Sequence, residues 1–120
     1  MVNKINLSNK FSLFRDLWSP KIIADLNDSH VKLAKVKGEF VWHKHDDEDE
    51  LFLVVKGKLK IELRDKELFL YEGEIVVIPK GVEHKPVADS EVQILLIETK
   101  GTVNTGDVTD EKTKKGEEFI

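Results

Sequence analysis

Residues 38–57 read GEFVWHKHDDEDELFLVVKG, and residues 73–84 read GEIVVIPKGVEH. Both are apolar, β-branched runs opened by glycine, and such runs bounded by turn residues are strand signals. Outward from them the pattern repeats. Segments 22–26, 31–36, 39–43, 50–55, 58–63, 67–70, 75–78, 84–88 and 92–98 all read as strands. Asn27-Asp28-Ser29, Lys37-Gly38, Lys56-Gly57, Arg64-Asp65-Lys66, Tyr71-Glu72-Gly73 and Asp89-Ser90-Glu91 read as the turns between them. Strand 58–63 alternates, with Leu59, Ile61 and Leu63 on one face and Lys58, Lys60 and Glu62 on the other, as a half-solvated antiparallel strand should. Leu51 to Val55 and Ile94 to Ile97 are apolar in both phases, so a second layer or a second subunit is expected to cover their outer side. Many short strands without crossover helices predict an all-β, antiparallel sandwich or jelly-roll β-barrel, with an up-and-down barrel as the alternative.

Three of the four histidines fall in the two opening stretches. His43 and His45 are two apart, so on an extended chain they leave from one face. Glu50 follows after a corner, and Glu50, Phe52 and Val54 share the phase expected to point inward. His84 arrives behind the Pro79 and Gly81 turn and would close the site. Three imidazoles and a carboxylate are ligands for one divalent transition-metal ion, Mn, Fe, Co, Ni, Zn or Cu, with one or two positions left for water or substrate. Glu48 or Asp49 could replace Glu50 if the corner is tight. Glu50 is favoured because it alone sits inside an apolar strand, where an unpaired carboxylate would be costly. Asp46, Asp47, Glu48 and Asp49 otherwise read as a solvated acidic rim, and Lys44 and Lys85 as external. His30 reads as an ordinary surface residue. Phe40 and Trp42 are expected on the face opposite His43, in a subunit contact or between sheets.

The flanks are plainer. Phe11, Phe14, Leu17 and Trp18 recur at roughly helical spacing behind Ser8 and Asn9, which predicts a short helix over 8–18, ended by Pro20. The expected organisation is an N-terminal arm over 1–20, a barrel over 21–100 and a C-terminal extension over 101–120. The last part, 109–120, is expected to be a loose, partly disordered tail, with docking by Phe119 and Ile120 still open.

A chain of 120 residues suits one domain with a real core. The formal charge of −4, and only two arginines among 19 basic residues, argue against a nucleic-acid partner, whose affinity depends on neutralising phosphates. There is no cysteine, which removes thiolate chemistry and fits a cytoplasmic, reducing location. No apolar run approaches a membrane span, and the first residues lack a signal-peptide core. The expected partners are a small-molecule ligand or substrate and a second copy of the chain, as a homodimer.

Taken together, the two motifs resemble the cupin family. Its first motif has a glycine, His-x-His, three or four residues, Glu, six residues and Gly; its second has Gly, five residues, Pro-x-Gly, two residues and His. His43, His45, Glu50, Gly57, Gly73, Pro79, Gly81 and His84 match. Gly38 lies one residue closer to His43 than usual, and Ala88 stands where the second motif often has Asn; neither is a ligand position. The resemblance implies a jelly-roll barrel with one metal ion on His43, His45, Glu50 and His84. It also implies either an isomerase- or dioxygenase-like enzyme for a small polar molecule, or a non-catalytic sensor; the lack of an arginine clamp weakens a sugar-phosphate version.

Overall fold

A computed structural model describes residues 2–114 and 116–120. Met1 of the expected N-terminal arm and Lys115 of the C-terminal charge run lie outside the described residues. The chain runs through α1 (Leu7–Phe11), β1 (Lys21–Leu26), β2 (Ser29–Glu39), β3 (Glu50–Lys56), β4 (Leu59–Leu63), β5 (Glu67–Leu70), β6 (Ile75–Ile78) and β7 (His84–Thr99). Every strand pairing is antiparallel.

The long strand β7 is the hub. One edge pairs with β2 from Val87 to Thr99; the other pairs with β4 through His84–Val87 and then with β3 through Gln93–Glu98. His84, Pro86, Ala88, Val92, Ile94, Leu96 and Glu98 are all buried, so one period-two phase runs through the strand. Asp89-Ser90-Glu91, expected to be a turn, is therefore continuous strand: the polar triplet marks where β7 is exposed between its two partners. Lys37-Gly38 is likewise no change of direction. Gly38 lies at a bulge, where the register against β7 shifts between Val36 and Gly38, and β2 carries on to Glu39.

The inward phase of β2, β3, β4 and β7 makes the main core: Ala34, Val36, Phe52, Val54, Leu59, Ile61, Val92, Ile94 and Leu96. Leu33 points the other way yet is fully buried, because Phe11, Phe14 and Ile23 pack over it as a second cluster. That cover explains the N-terminal arm, but not as a helix over 8–18. The helix is only Leu7–Phe11, capped by Asn6, whose Oδ1 accepts from Asn9 N at 2.9 Å. Beyond it, Trp18 N donates to Lys35 O at 2.8 Å and Trp18 Nε1 to Lys37 O at 2.9 Å, so pairing with β2 displaces the helical pattern.

The C-terminal residues are tied down, against the expectation of a loose tail. Ile22 N donates to Glu118 O at 2.9 Å and Ile120 N to Ile22 O at 3.0 Å, and Ile120 packs on the second core cluster. No helix among the described residues is long and apolar enough to cross a membrane.

Candidate metal centre

His43, His45, Glu50 and His84 converge, each offering a donor atom within 4.8 Å of the others, and all four are buried. The segment holding the first two is not the strand expected over 39–43. After Glu39 the chain leaves β2, and His43 meets β7 at one isolated bridge: His43 N donates to His84 O at 3.1 Å and His84 N to His43 O at 2.9 Å. Two candidate ligands thus share one backbone pairing. Gly81 N donates to His45 O at 2.8 Å, which ties the second motif's turn to a third candidate ligand. Glu50 opens β3, on the corner after the acidic rim. Asp49 is not its substitute: it is exposed and outside the cluster, and its Oδ1 accepts from Lys80 N at 2.9 Å.

Hydrogen bonding fixes which ring nitrogens are free. His43 Nδ1 lies 2.9 Å from Val41 O, and His84 Nδ1 lies 2.9 Å from Val82 O. A carbonyl can only accept, so each Nδ1 carries the proton and each Nε2 presents a lone pair. Glu50 Oε1 lies 3.3 Å from His84 Nε2 and 3.4 Å from His45 Nε2. His45 Nε2 is buried without a well-formed hydrogen bond among the described residues. An orphaned imidazole nitrogen beside two oriented ones and a carboxylate fits a metal ion, which would satisfy all four at once.

At His43 and Glu50 the electrostatics agree. Burial, reinforced by repulsion from His84, lowers the His43 pKa to about 4 and keeps that ring neutral. Burial also opposes charge on His45, but the Glu50 carboxylate 3.4 Å from its Nε2 outweighs it and leaves its pKa raised. Glu50 is held ionised, well below the usual carboxylate range: burial opposes this, and Glu98, His45 and His84 overcome it.

Two neighbours of the site carry a signal that only phase would reveal. Glu98 is directly opposite Glu50 in the β3–β7 register and buried in the same phase as Ile94 and Leu96. Burial, with Glu50's charge, pushes its pKa well up. Lys32, fully buried in the phase of Ala34 and Val36, bonds Glu98 Oε1 at 2.8 Å and pairs with Glu117 from the C-terminal segment. A charged residue in the inward phase of an apolar strand must have a buried partner, and that rule would have picked out both.

A cavity of about 40 Å³ opens beside the cluster. His43, Glu50 and Glu98 line it with Phe40, Phe52, Trp18 and Asn104. Phe40 is therefore not on the side opposite His43: its ring stands edge-on to His43 at 5.3 Å and stacks on Trp18 at 4.6 Å. The irregular path after Glu39 breaks the alternation that predicted otherwise. Trp42 does lie away from the cavity, half-buried, with the Arg64 guanidinium 3.8 Å from its ring centre. His30 is half-buried, 3.2 Å from Asp25 and edge-on to Phe119.

An antiparallel β protein whose core gathers three imidazoles and a carboxylate at a cavity defines a class of metal-site scaffold. The chain belongs to the cupin family: the family's model, described as the cupin domain, matches residues 29–99. It is similar to a cupin-2 domain containing protein from Shewanella frigidimarina, at 55% identity over 80% of this chain and 94% of that one, TM-score 0.79. Protein NMB1881 from Neisseria meningitidis is 29% identical over 82% of this chain and all of its own, TM-score 0.75. The uncharacterized protein YdbB of Bacillus subtilis is 45% identical over 64 residues; the match spans 52% of this chain and 57% of YdbB.

Proposed function

We propose that the protein is a metal-dependent enzyme with a jelly-roll barrel, acting on a small polar organic molecule in an isomerase- or dioxygenase-like reaction. His43, His45, Glu50 and His84 would hold one divalent ion, Mn, Fe, Co, Ni, Zn or Cu. The observation that carries this reading is the convergence of those donors beside a cavity, with His43 and Glu50 standing in its wall. The bound ion would supply Lewis acidity for a carbonyl or enolate oxygen, or a site for dioxygen if it is iron. The chain's own part is positional. Val41 O and Val82 O hold two rings in the ligating tautomer, and Phe40, Phe52 and Trp18 wall the cavity against water.

A second reading, a non-catalytic binder or sensor, is favoured by the size of the cavity: about 40 Å³ takes only a few water-sized groups. Turnover of a panel of small hydroxy and keto compounds by metal-loaded protein, absent in Glu50→Ala, is expected for the enzyme. Metal-dependent binding without turnover of any member would support the sensor and overturn the enzyme.

The chain is further read as a cytoplasmic homodimer without nucleic-acid or membrane partners. Across β6, β3 and β7 the outward phase lines up Val77, Leu51 and Ile97 in one row and Ile75, Leu53 and Leu95 in the next. Ile75 is 60% exposed and Val77 49% exposed, so the end of this apolar face is uncovered, and a second copy is its expected cover. Light scattering at micromolar concentration should give twice the chain mass; a monomer at millimolar concentration would contradict it.

A further inference from the structure

Along extended backbone the N–H and C=O groups of successive residues point to alternate edges; those of His43 face His84 and the His45 carbonyl faces Gly81, so both groups of Lys44 face the opposite edge. There they meet a segment that lies beyond the matched cupin domain, which ends at residue 99. Lys44 N donates to Asp107 Oδ1 at 3.0 Å, and Asp107 N donates to Lys44 O at 3.0 Å. The residue between the two ligands is thus gripped at both its donor and its acceptor by one aspartate. The approach is close enough that Gly106 admits no side chain. A Cβ there would lie 2.1 Å from Lys44 O and 3.1 Å from His43 Cδ2, and its φ of +58° is in the region that disfavours most other residues.

The gripping segment is itself braced from below. Thr105, fully buried, donates from Oγ1 to Val108 O at 2.8 Å and lies 2.7 Å from Thr113 Oγ1. Asn104, also buried, donates to Trp18 O at 3.3 Å and to Lys112 O at 2.8 Å, and its Oδ1 accepts from Lys114 N at 2.8 Å. Buried side-chain bonds of this kind hold a loop in one conformation. The segment is built to be rigid where it touches the ligand loop, which a mere terminal extension has no need to be.

We infer that residues 102–108 are a positioning element of the metal centre, with Gly106 and Asp107 setting the geometry of His43 and His45 through the backbone of Lys44. This inference rests on the metal reading above and adds that a part of the chain outside the cupin domain tunes it. Neither Gly106 nor Asp107 offers a ligand; both act on the loop that carries two.

The test uses the full chain and Co(II) as the probe, with affinity measured by competition against a chelator and ligand geometry by the visible absorption of the bound ion. Gly106→Ala should lose roughly 10- to 100-fold in Co(II) affinity, the range for losing a group that orients a ligand, and should shift the absorption bands. Asp107→Ala should shift them in the same direction by less. Asp107→Asn, which keeps an oxygen acceptor for Lys44 N, should return both affinity and spectrum to the wild-type values. Asp107 is exposed, so its variants fold even if Gly106→Ala does not. Wild-type affinity and spectrum in folded Asp107→Ala and in Gly106→Ala would overturn the positioning role while leaving the metal centre intact. A wild-type chain that gives no Co(II) spectrum would overturn both.

Discussion

His84→Ala is expected to lower affinity for a divalent transition metal by at least about 100-fold, more than the loss for a group that only orients a ligand. His84 is fully buried, its Nδ1 is occupied by Val82 O, and its Nε2 points at Glu50. No other imidazole can take its place: His43 and His45 are already in the cluster, and His30 is bonded to Asp25. The two main-chain bonds between residues 43 and 84 survive the substitution, so the fold should persist, with a cost of about 1–3 kcal/mol for the space left. Isothermal titration beside a urea denaturation curve separates the two effects. Unchanged affinity would remove His84 from the ligand set. Acid should weaken binding in the same way, because a protonated imidazole cannot ligate. His45 contributes first as pH falls, since Glu50 supports its proton; His43, neutral down to about 4, contributes only in more acid solution.

Lys32→Ala should be the most damaging change to stability. The ammonium is buried against Glu98, itself buried, and against Glu117, whose side chain is 7% exposed. Removing one member of a buried ion group leaves uncompensated charge and costs about 3–5 kcal/mol, on the order of 10–20 °C in Tm for a chain of this length. Here the two abandoned carboxylates also face Glu50, so repulsion adds to desolvation. Both glutamates have folded-state pKa values raised by burial, before any other cause, and losing Lys32 raises them further. A group with a raised folded pKa destabilises the native state above that pKa and ceases to do so below its unfolded value. The gap between variant and wild type should therefore narrow as pH falls through these raised folded-state values. Lys32→Met combined with Glu98→Gln and Glu117→Gln should recover most of the loss, since an uncharged group of similar volume carries no such penalty. A Lys32→Ala effect under about 0.5 kcal/mol, the scale of an exposed surface pair, would mean that the buried network is not formed.

What could be read from the chain in advance follows from how local each signal is. The four candidate ligands were legible because strand phase and turn chemistry, both short-range, set where their side chains go: Gly81 and Pro79 aim His84, and the corner before β3 aims Glu50. Helical spacing of Phe11, Phe14 and Trp18 misled because the partner that claims Trp18, the carbonyls of Lys35 and Lys37, is distant in sequence. Asp89-Ser90-Glu91 has a turn's composition, and only the two flanking phases together show one strand. Alternation predicts the wrong side for Phe40 because the strand stops at Glu39. The grip of Asp107 on Lys44 joins positions 63 residues apart through backbone groups, which leave no mark in residue type.

Diffraction from crystals grown with Co(II) or Zn(II), collected at the absorption edge of the metal, tests the central claim most directly. One anomalous peak is expected, within about 2.0–2.2 Å of Nε2 of His43, His45 and His84 and of a Glu50 oxygen. A peak over the exposed acids at 46–49 instead, or none at full soaking strength, would contradict it.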